Sequence, residues 1–319
     1  MVYLAIIGMG RWGQVLVNSV QGRSDQVRFV VGATRTPARA EAFAARQGIE
    51  ILPDLAAVLA RTDVDGIVLA TPHSEHAAQI AAATAAGKAV FCEKPLALTL
   101  DQGRTAFDNA EAAGVALCVG HNRRFLPSFH RMIAQLAEIG PVLQMIGNFS
   151  GAAQSYAAGG WRTSLDESPA GGMTGLGIHM IDAMIAAGLR PETVTVARRG
   201  LDGPQTAVTA LIDAGPSIGV LTTMQGPGRA WRLELHGSNG RMAMDGEQRL
   251  VVQKSGAPEE IIDFGATDTE RAELEAFAAV IRGTIDWPVT RDEALRGLAL
   301  FEAICQGAIH APGTQIDIY

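Results

Sequence analysis

Three glycines near the amino terminus have the spacing of a phosphate-binding turn. Gly8, Gly10 and Gly13 form a Gly-x-Gly-x-x-Gly pattern between the apolar residues 3–7 and the amphipathic residues 12–20. Between a strand and a helix, such glycines permit a tight turn, a close approach of the backbone to a pyrophosphate and tight helix–strand packing. A glycine-rich surface turn is the alternative, but the flanking strand and helix patterns favour a dinucleotide site.

The end of the predicted second strand, residues 28–33, bears on the choice between NAD and NADP. An acidic residue there would bind both ribose hydroxyls of NAD, but this chain has Thr34 followed by Arg35. Arg35, joined by Arg39, is suited to bind the 2′-phosphate of NADP through charge-assisted hydrogen bonds. The alternative is that Arg35 is a solvated charge that stacks on adenine. The sequence favours NADP and leaves NAD open.

Two further segments follow predicted strands and carry side chains suited to acid–base chemistry. They are Thr71-Pro72-His73-Ser74-Glu75-His76 and Glu93-Lys94-Pro95. Both lie at the carboxyl ends of parallel strands, the edge at which open α/β sheets bind ligands. A lysine beside a cationic nicotinamide has its charged form disfavoured, which makes Lys94 a candidate proton donor at neutral pH. The alternative is a surface lysine at a strand end.

A parallel sheet is needed to position these segments, and the first 120 residues carry its pattern. Short apolar or β-branched runs alternate there with alanine-rich amphipathic stretches. The predicted strands are residues 3–7, 28–33, 66–70, 89–92 and 116–119, and the predicted helices are residues 12–20, 37–47, 55–60, 75–86 and 99–113. Thr99 and Asp101 are candidate caps of the last helix, which is predicted to end at Gly114.

After Phe125 the alternating segments become longer. The predicted strands are residues 142–149, 193–199, 207–213, 218–224, 232–237 and 248–253, and the predicted helices are residues 128–139, 270–282 and 291–308. Turn sequences at 213–216 and 238–240 indicate antiparallel pairing. We therefore predict an α/β protein with two domains. Residues 1–120 form a Rossmann-like parallel-sheet domain that binds a dinucleotide. Residues 121–319 form an α+β domain with a large, mostly antiparallel sheet for substrate binding and oligomerisation.

Composition excludes several classes of protein. The 48% hydrophobic and 18% charged content argue against disorder, and the apolar runs fall short of the roughly 20 residues of a membrane span. A net charge of -7 argues against a nucleic-acid partner. Cys92, Cys118 and Cys305 are far apart and predict reduced residues, with no disulfide framework and no metal site. The first residues run straight into a strand without a leader, so we expect a cytoplasmic protein with no membrane partner.

The motifs together resemble those of the glucose-fructose oxidoreductase / inositol dehydrogenase / rhizopine catabolism (Gfo/Idh/MocA) family. The resemblance covers essentially the whole chain and includes residues 120–125, 161–162, 171–182 and 237–240 and the closing helix from Arg291. It implies hydride transfer between a nicotinamide, NADP or NAD, and a sugar-like, cyclitol or keto substrate. It also implies that Lys94 and His179 are the catalytic residues, on either side of the reacting carbon.

The resemblance and the residue chemistry together predict two sets of binding residues. The cofactor set is Gly8, Gly10, Arg11, Trp12, Gly13, Thr34, Arg35, Arg39, Thr71, Pro72, His73, His76, Glu93 and Lys94. The substrate set is Lys94, Asn122, Arg123, Trp161, Arg162, His179 and Asp182. His179 has the alternative of a core histidine, and Asp182 either orients His179 or is a structural acid. A cis Lys94–Pro95 peptide is also predicted.

One departure from the family pattern affects the predicted reaction. Related sugar dehydrogenases usually carry an aspartate four residues before the histidine, and this chain has Gly175 there. Without that carboxylate, a partner for a substrate hydroxyl group is missing. This favours NADPH-linked reduction of a carbonyl over oxidation of a polyol. The alternatives are an NAD-linked sugar or cyclitol dehydrogenase and a non-catalytic regulator that binds a dinucleotide. The residues that select the substrate are expected in loops such as residues 152–168.

The second sheet has apolar residues to spare, which predicts a homodimer or homotetramer formed through it. One sheet face packs on helices, and the other would otherwise expose a large apolar patch. The residues assigned to that contact are Val208, Ala210, Ile218, Val220, Leu233 and Leu235.

Overall fold

The computed structural model describes residues 1–151, 160–200, 207–226, 228–307 and 314–315. The chain divides into two compact units. One contains Met1–Asn122 and Asp268–Arg291, and the other contains Arg123–Thr267 and Asp292–Tyr319. The predicted domain boundary at residue 120 is close to Asn122, where the chain first leaves the first unit. The prediction did not assign residues 268–291 to the first unit.

The first unit is built on a six-stranded parallel sheet. Its strands are β1 (Val2–Ile7), β2 (Val27–Ala33), β3 (Glu50–Leu52), β4 (Gly66–Leu69), β5 (Ala89–Glu93) and β6 (Leu117–Gly120), in the order β3-β2-β1-β4-β5-β6. This is the strand order of a Rossmann fold. From β1, successive strands are added on one side up to β3 and then, from β4, on the other side. At this switch point, the carboxyl ends of β1 and β4 border a crevice in which ligands bind. The sequence predicted every strand except β3, which is too short to show an alternating pattern.

Five helices of the first unit connect these strands. They are α1 (Arg11–Val20), α2 (Glu41–Gln47), α3 (Leu55–Leu59), α4 (His76–Ala85) and α5 (Leu100–Ala113). The predicted ends of α5 are confirmed. The Thr99 side chain accepts a hydrogen bond from the backbone N–H of Gln102, and Gly114 ends the helix with a left-handed φ of 66°. This capping is typical of a helix that begins after threonine and ends at glycine.

A sixth helix, α8 (Thr269–Ile281), joins the first unit from the far end of the chain. Leu274 and Phe277 on this helix are fully buried in the core of the first unit. Gly66 leaves the room for them, because a Cβ atom there would lie 3.0 Å from the Phe277 ring. From its position in the chain, this helix was predicted to belong to the second domain. The burial of two large apolar side chains, each worth about 1.5–3 kcal/mol, places it in the first unit instead.

The second unit contains a large sheet, with nine strands among the described residues. They are β7 (Val142–Ser150), β8 (Thr193–Arg199), β9 (Ala207–Ala214), β10 (Ser217–Met224), β11 (Ala230–Gly237), β12 (Gly240–Asp245), β13 (Arg249–Lys254), β14 (Glu260–Asp263) and β15 (Thr314–Gln315). Their order is β14-β13-β12-β11-β7-β10-β9-β8-β15, and only β7 and β10 pair in parallel. The predicted mostly antiparallel sheet is confirmed, with turns at Gly215 and Gly240 as expected.

Helices cover one face of this sheet. They are α6 (Pro127–Ala134) and α7 (Ile178–Ala186), which continues a π-helical turn (Met173–Gly177). A third helix, α9 (Arg291–Gly307), lies against α7, where Gly297 faces Ile181. Helix α7 packs closely on the sheet because Gly147 and Gly219 have no side chains where Met184 lies. Nowhere in the described part of the chain is a helix both long and apolar enough to cross a membrane.

The exposed face of the second sheet carries a different set of apolar residues from the one predicted for the oligomer contact. Val208, Ala210, Leu233 and Leu235 are fully or almost fully buried, so assigning them to an exposed face was wrong. The open face instead carries Leu211, Ile218 and Met224, which are 51%, 49% and 43% exposed, with Val220 half-buried beside Leu211. Successive residues of a strand point to opposite faces, and only packing shows which set the helices cover.

Candidate active site

The glycine turn after β1 has the geometry that its spacing predicted. Gly8 has a φ of +92°, and a Cβ atom there would lie 2.5 Å from the carbonyl oxygen of Ala70. A Cβ atom on Gly13 would collide with the carbonyl oxygen of Gly8. A Cβ atom on Gly10, by contrast, would meet nothing within 4 Å. The first and third glycines therefore permit close packing, and the second leaves open space next to the backbone.

The start of α1 is suited to bind an anion. Gly10 is its N-cap, and no side chain in the described chain caps it, so the amide groups of the first turn remain available. A helix start of this kind favours a phosphate. Arg11 is exposed at this point, and Trp12 packs part of its ring against the core. The space at Gly10 and the open helix start fit the pyrophosphate of a dinucleotide.

Thr34 and two arginines lie beyond the end of β2. Thr34 is half-buried, whereas Arg35 and Arg39 are exposed on the short segment that leads into α2. Neither arginine forms an ion pair with any residue that the structure describes. The site where an NAD-binding acid is expected is therefore occupied by a hydroxyl group and two cations.

The turn after β4 is held by a chain of polar side chains. The Thr71 hydroxyl donates to Oε1 of Gln79 at 2.6 Å, and Nε2 of Gln79 donates to Oε2 of Glu75 at 2.9 Å. Pro72 is half-buried, and His73 is buried, with its ring 5.9 Å from that of His76. Gln79 was not among the predicted site residues. Its position one turn after Glu75 in a predicted helix was the available signal.

Lys94 follows β5 at the same edge of the sheet. It is half-buried beside the buried Glu93, and the Lys94–Pro95 peptide is cis, as predicted. His76 is completely buried, with Nδ1 2.9 Å from the Pro95 carbonyl oxygen and Nε2 3.2 Å from that of Thr71. Both ring nitrogens of this predicted cofactor ligand therefore face backbone carbonyls.

Asn122, a predicted substrate-binding residue, is the last residue of Met1–Asn122, the first of the two segments that form the first unit. It is 3% exposed, and its amide nitrogen donates to Oε1 of Glu270 at 2.8 Å and to the Thr269 hydroxyl at 3.4 Å. These bonds join the segment after β6 to the start of α8.

In the second unit, His179 lies in the first turn of α7, directly after the π-helical turn. Gly175 and Gly177 belong to that turn, and the Met173 side chain occupies the place where a side chain on Gly177 would be. Single π-helical turns are rare in proteins, and those that occur are often at functional sites. The turn therefore supports a functional role for this segment, which lacks a carboxylate at position 175.

The imidazole of His179 is 4% exposed and lies against an aromatic ring and a cation. Its ring centroid is 5.7 Å from that of Phe149, and Nε2 is 3.5 Å from Nη1 of Arg123. Because a guanidinium only donates, Nε2 must be the acceptor in this contact. Nη2 of Arg123 also donates to Glu247 at 3.1 Å. Nothing in the sequence indicated Glu247, which is distant along the chain.

Asp182 is bound by Arg124. The guanidinium donates from Nε and Nη2 to the two carboxylate oxygens at 2.8 and 2.9 Å, and Glu293 lies 3.5 Å from Nη1. Burial lowers the pKa of Arg124, but Asp182 and Glu293 outweigh this effect and raise it above its ordinary value. Of the two roles considered for Asp182, this geometry matches the structural one.

Trp161 and Arg162 form one turn of 3₁₀-helix. The Arg162 guanidinium stacks on the Trp161 ring, 4.0 Å from its centroid. Both residues are half-buried. Of the predicted specificity loop, residues 152–159 lie outside the described part of the chain.

Comparison with known proteins agrees with these features. Residues 2–121 match the GFO_IDH_MocA model, described as an oxidoreductase family with an NAD-binding Rossmann fold. The chain is 29% identical to the inositol 2-dehydrogenase of Rhizobium meliloti over an alignment that covers 95% of each protein.

Two solved structures share the fold. A 3-ketoreductase from Actinomadura kijaniata in complex with NADP and TDP-benzene has a TM-score of 0.84 at 23% identity, covering 96% of this chain and 97% of that chain. Levoglucosan dehydrogenase in complex with NADH and L-sorbose has a TM-score of 0.86 at 19% identity, covering 99% of both. The family-model match of residues 2–121 and the likeness to an inositol 2-dehydrogenase over most of the chain identify an NAD(P)-dependent oxidoreductase acting on CH–OH or carbonyl groups, whose dinucleotide-binding part is that of the Gfo/Idh/MocA family.

Proposed function

We propose that this enzyme reduces a carbonyl group of a sugar-like or cyclitol-derived small molecule with NADPH. The observation that carries the proposal is the edge of the parallel sheet in the first unit. The glycine turn, the pair Arg35 and Arg39, and Lys94 all follow carboxyl ends of its strands. A phosphate-binding turn, a pair of cations suited to a 2′-phosphate and a proton donor at one sheet edge support reduction with NADPH.

When bound, the reduced nicotinamide supplies the hydride. As the carbonyl carbon accepts it, the oxygen gains negative charge, and Lys94 donates a proton to that oxygen to give the alcohol. His179 binds the substrate and orients it, since its Nε2 is beside a guanidinium and no carboxylate stands at position 175. Arg123 and the stacked Arg162 are the further candidates for contact with substrate hydroxyl or carboxylate groups.

Proteins of the same fold are found with either cofactor, so they are compatible with NADPH and with NADH. The structure of the 3-ketoreductase is a complex with NADP, whereas that of levoglucosan dehydrogenase is a complex with NADH. NAD-linked oxidation of a sugar or cyclitol by the same residues is therefore the second candidate. A non-catalytic regulator is disfavoured because Lys94 and His179 are both retained.

The test of this function is NADPH oxidation, followed by absorbance, against a panel of keto-sugars, aldoses, inososes and aromatic dihydrodiols, with NADH and both oxidised cofactors in parallel. Turnover of a keto-sugar or inosose with NADPH is the expected result. Turnover only of an alcohol with NAD would favour the second candidate, and cofactor binding without any turnover would favour a regulator.

Arg35→Ala is expected to weaken NADPH binding about 10- to 100-fold and leave NADH binding unchanged. The loss corresponds to the roughly 1.5–3 kcal/mol of a hydrogen bond to a charged group. Fluorescence titration of both nucleotides measures it. Arg46→Ala is the matched control, because Arg46 is exposed on the neighbouring α2. Equal loss of both nucleotides, or no loss of either, would contradict a 2′-phosphate contact.

We also propose that the open face of the second sheet forms a homodimer or homotetramer contact. Ile218→Asp is expected to shift the mass in solution towards the monomer, because a charge would be buried without a partner. Light scattering coupled to size exclusion measures this mass. Ile285→Asp in the first unit, where Ile285 is 46% exposed, is the matched control. A monomeric wild-type protein at micromolar concentration would contradict this proposal.

A further inference from the structure

His76 joins two turns at the functional edge of the parallel sheet. It is the first residue of α4, it is completely buried, and its two ring nitrogens face two carbonyl oxygens. One belongs to Pro95, after β5, and the other to Thr71, after β4.

The two contacts differ in strength. Nδ1 lies 2.9 Å from the Pro95 oxygen, the usual length of an N–H···O bond, and Nε2 lies 3.2 Å from the Thr71 oxygen, at the long end of the range. Carbonyl oxygens only accept, so the imidazole must donate at any nitrogen that is bonded. The shorter contact places a hydrogen atom on Nδ1, directed at Pro95.

Each turn carries a part of the proposed site. Thr71 abuts the glycine turn, since a Cβ atom on Gly8 would lie 3.0 Å from the Thr71 backbone nitrogen. Pro95 directly follows Lys94. Because the proline ring already fixes φ at about −65°, a hydrogen bond to its carbonyl group restrains the other backbone torsion of Pro95. The imidazole therefore donates to the backbone next to the lysine from a position that also borders the backbone next to the nucleotide turn.

We propose that His76 is a positioning residue that holds Lys94 at the cofactor by donating from Nδ1 to the Pro95 carbonyl. It touches neither cofactor nor substrate in this role. The proposal rests on the proposed function in one respect, which is that Lys94 lies beside the bound nucleotide.

Three variants of the full-length chain separate this role from simple packing. The side-chain nitrogen of asparagine takes the place of Nδ1, and that of glutamine takes the place of Nε2. His76→Asn therefore keeps the donor towards Pro95, His76→Gln offers a donor only towards Thr71, and His76→Ala offers neither. His130→Asn, at an exposed position of α6, is the control for a histidine-to-asparagine change elsewhere.

The measurement is chemical acetylation of lysine, followed by mass spectrometry with and without NADP. The chain has three lysines, Lys88, Lys94 and Lys254, so each can be followed separately. Lys254 forms an exposed ion pair with Glu138 and is the internal reference. Protection of Lys94 by the nucleotide reports the position of the lysine without a substrate.

The wild type, His76→Asn and His130→Asn are expected to show strong protection of Lys94. In His76→Gln and His76→Ala, protection is expected to fall about 2- to 10-fold, the effect of one lost hydrogen bond, while the Kd for NADPH stays near the wild-type value. Once a substrate is found, kcat should fall in the same two variants with the KM for NADPH unchanged. Rescue by asparagine alone is the signature that a packing role would not produce.

Two results overturn the proposal. Equal protection in all variants would show that the contact with Pro95 does not position Lys94. Equal loss of protection in the Asn, Gln and Ala variants would show that only the volume of the ring matters. Absence of protection in the wild type is distinct from both, because it contradicts the placement of Lys94 at the cofactor and with it the proposed function. Circular dichroism establishes that the compared variants are folded.

Discussion

Lys94→Ala is expected to lower kcat about 10²–10⁴-fold, the usual contribution of a general acid or base. NADPH affinity should stay near normal, because the predicted phosphate contacts lie at the glycine turn and at Arg35. Steady-state kinetics with a substrate from the panel measures the first effect, and fluorescence titration the second. Lys254→Ala is the matched control, since Lys254 is 45% exposed in its ion pair with Glu138. Such surface pairs contribute only about 0–1 kcal/mol to stability.

His179→Ala is the companion variant that tests the division of roles. It is expected to lower kcat on the order of tenfold, below the usual range for a general acid, and to raise KM, because the histidine is assigned to binding and orientation. If Lys94→Ala retains kcat while His179→Ala abolishes turnover, the two roles are reversed. If both variants remain fully active, the catalytic group is elsewhere.

Asp182→Ala is expected to cost about 3–5 kcal/mol of unfolding free energy, the usual cost of removing one partner of a buried ion pair. Arg124 would remain buried and charged after losing the carboxylate that binds it at 2.8 Å, and Glu293 lies farther from it, at 3.5 Å. Urea denaturation followed by circular dichroism measures the change. Asp292→Ala is the matched control, because Asp292 pairs with Arg296 but is 62% exposed. Its expected cost is about 1 kcal/mol or less. A cost for Asp182→Ala no greater than that of the control would contradict a stabilising role for the Arg124–Asp182 pair.

The sequence by itself determined the features that depend on local backbone geometry. Gly8 and Gly114 were placed correctly because a positive φ, or a close approach of the backbone, excludes other residues there. Thr99 was placed correctly because a helix start needs a side-chain acceptor for its open amide groups. The strand before Lys94 follows from the apolar run that precedes it. These signals lie within a few residues of the feature that they predict.

Only the tertiary structure decided which distant residues meet. The pairing of Asp182 with Arg124, the contact of Glu247 with Arg123 and the return of α8 to the first unit have no local signature. An alternating strand pattern defines two faces but not which one the helices bury, so Val208 and Ile218 were assigned to the same face although they lie on opposite ones. The two backbone carbonyls that the ring nitrogens of His76 face also follow from the packed fold alone. The physical reason is that a buried group contacts whichever residues lie next to it in the folded protein. Those residues are often far away along the chain, so the sequence around the group does not show them.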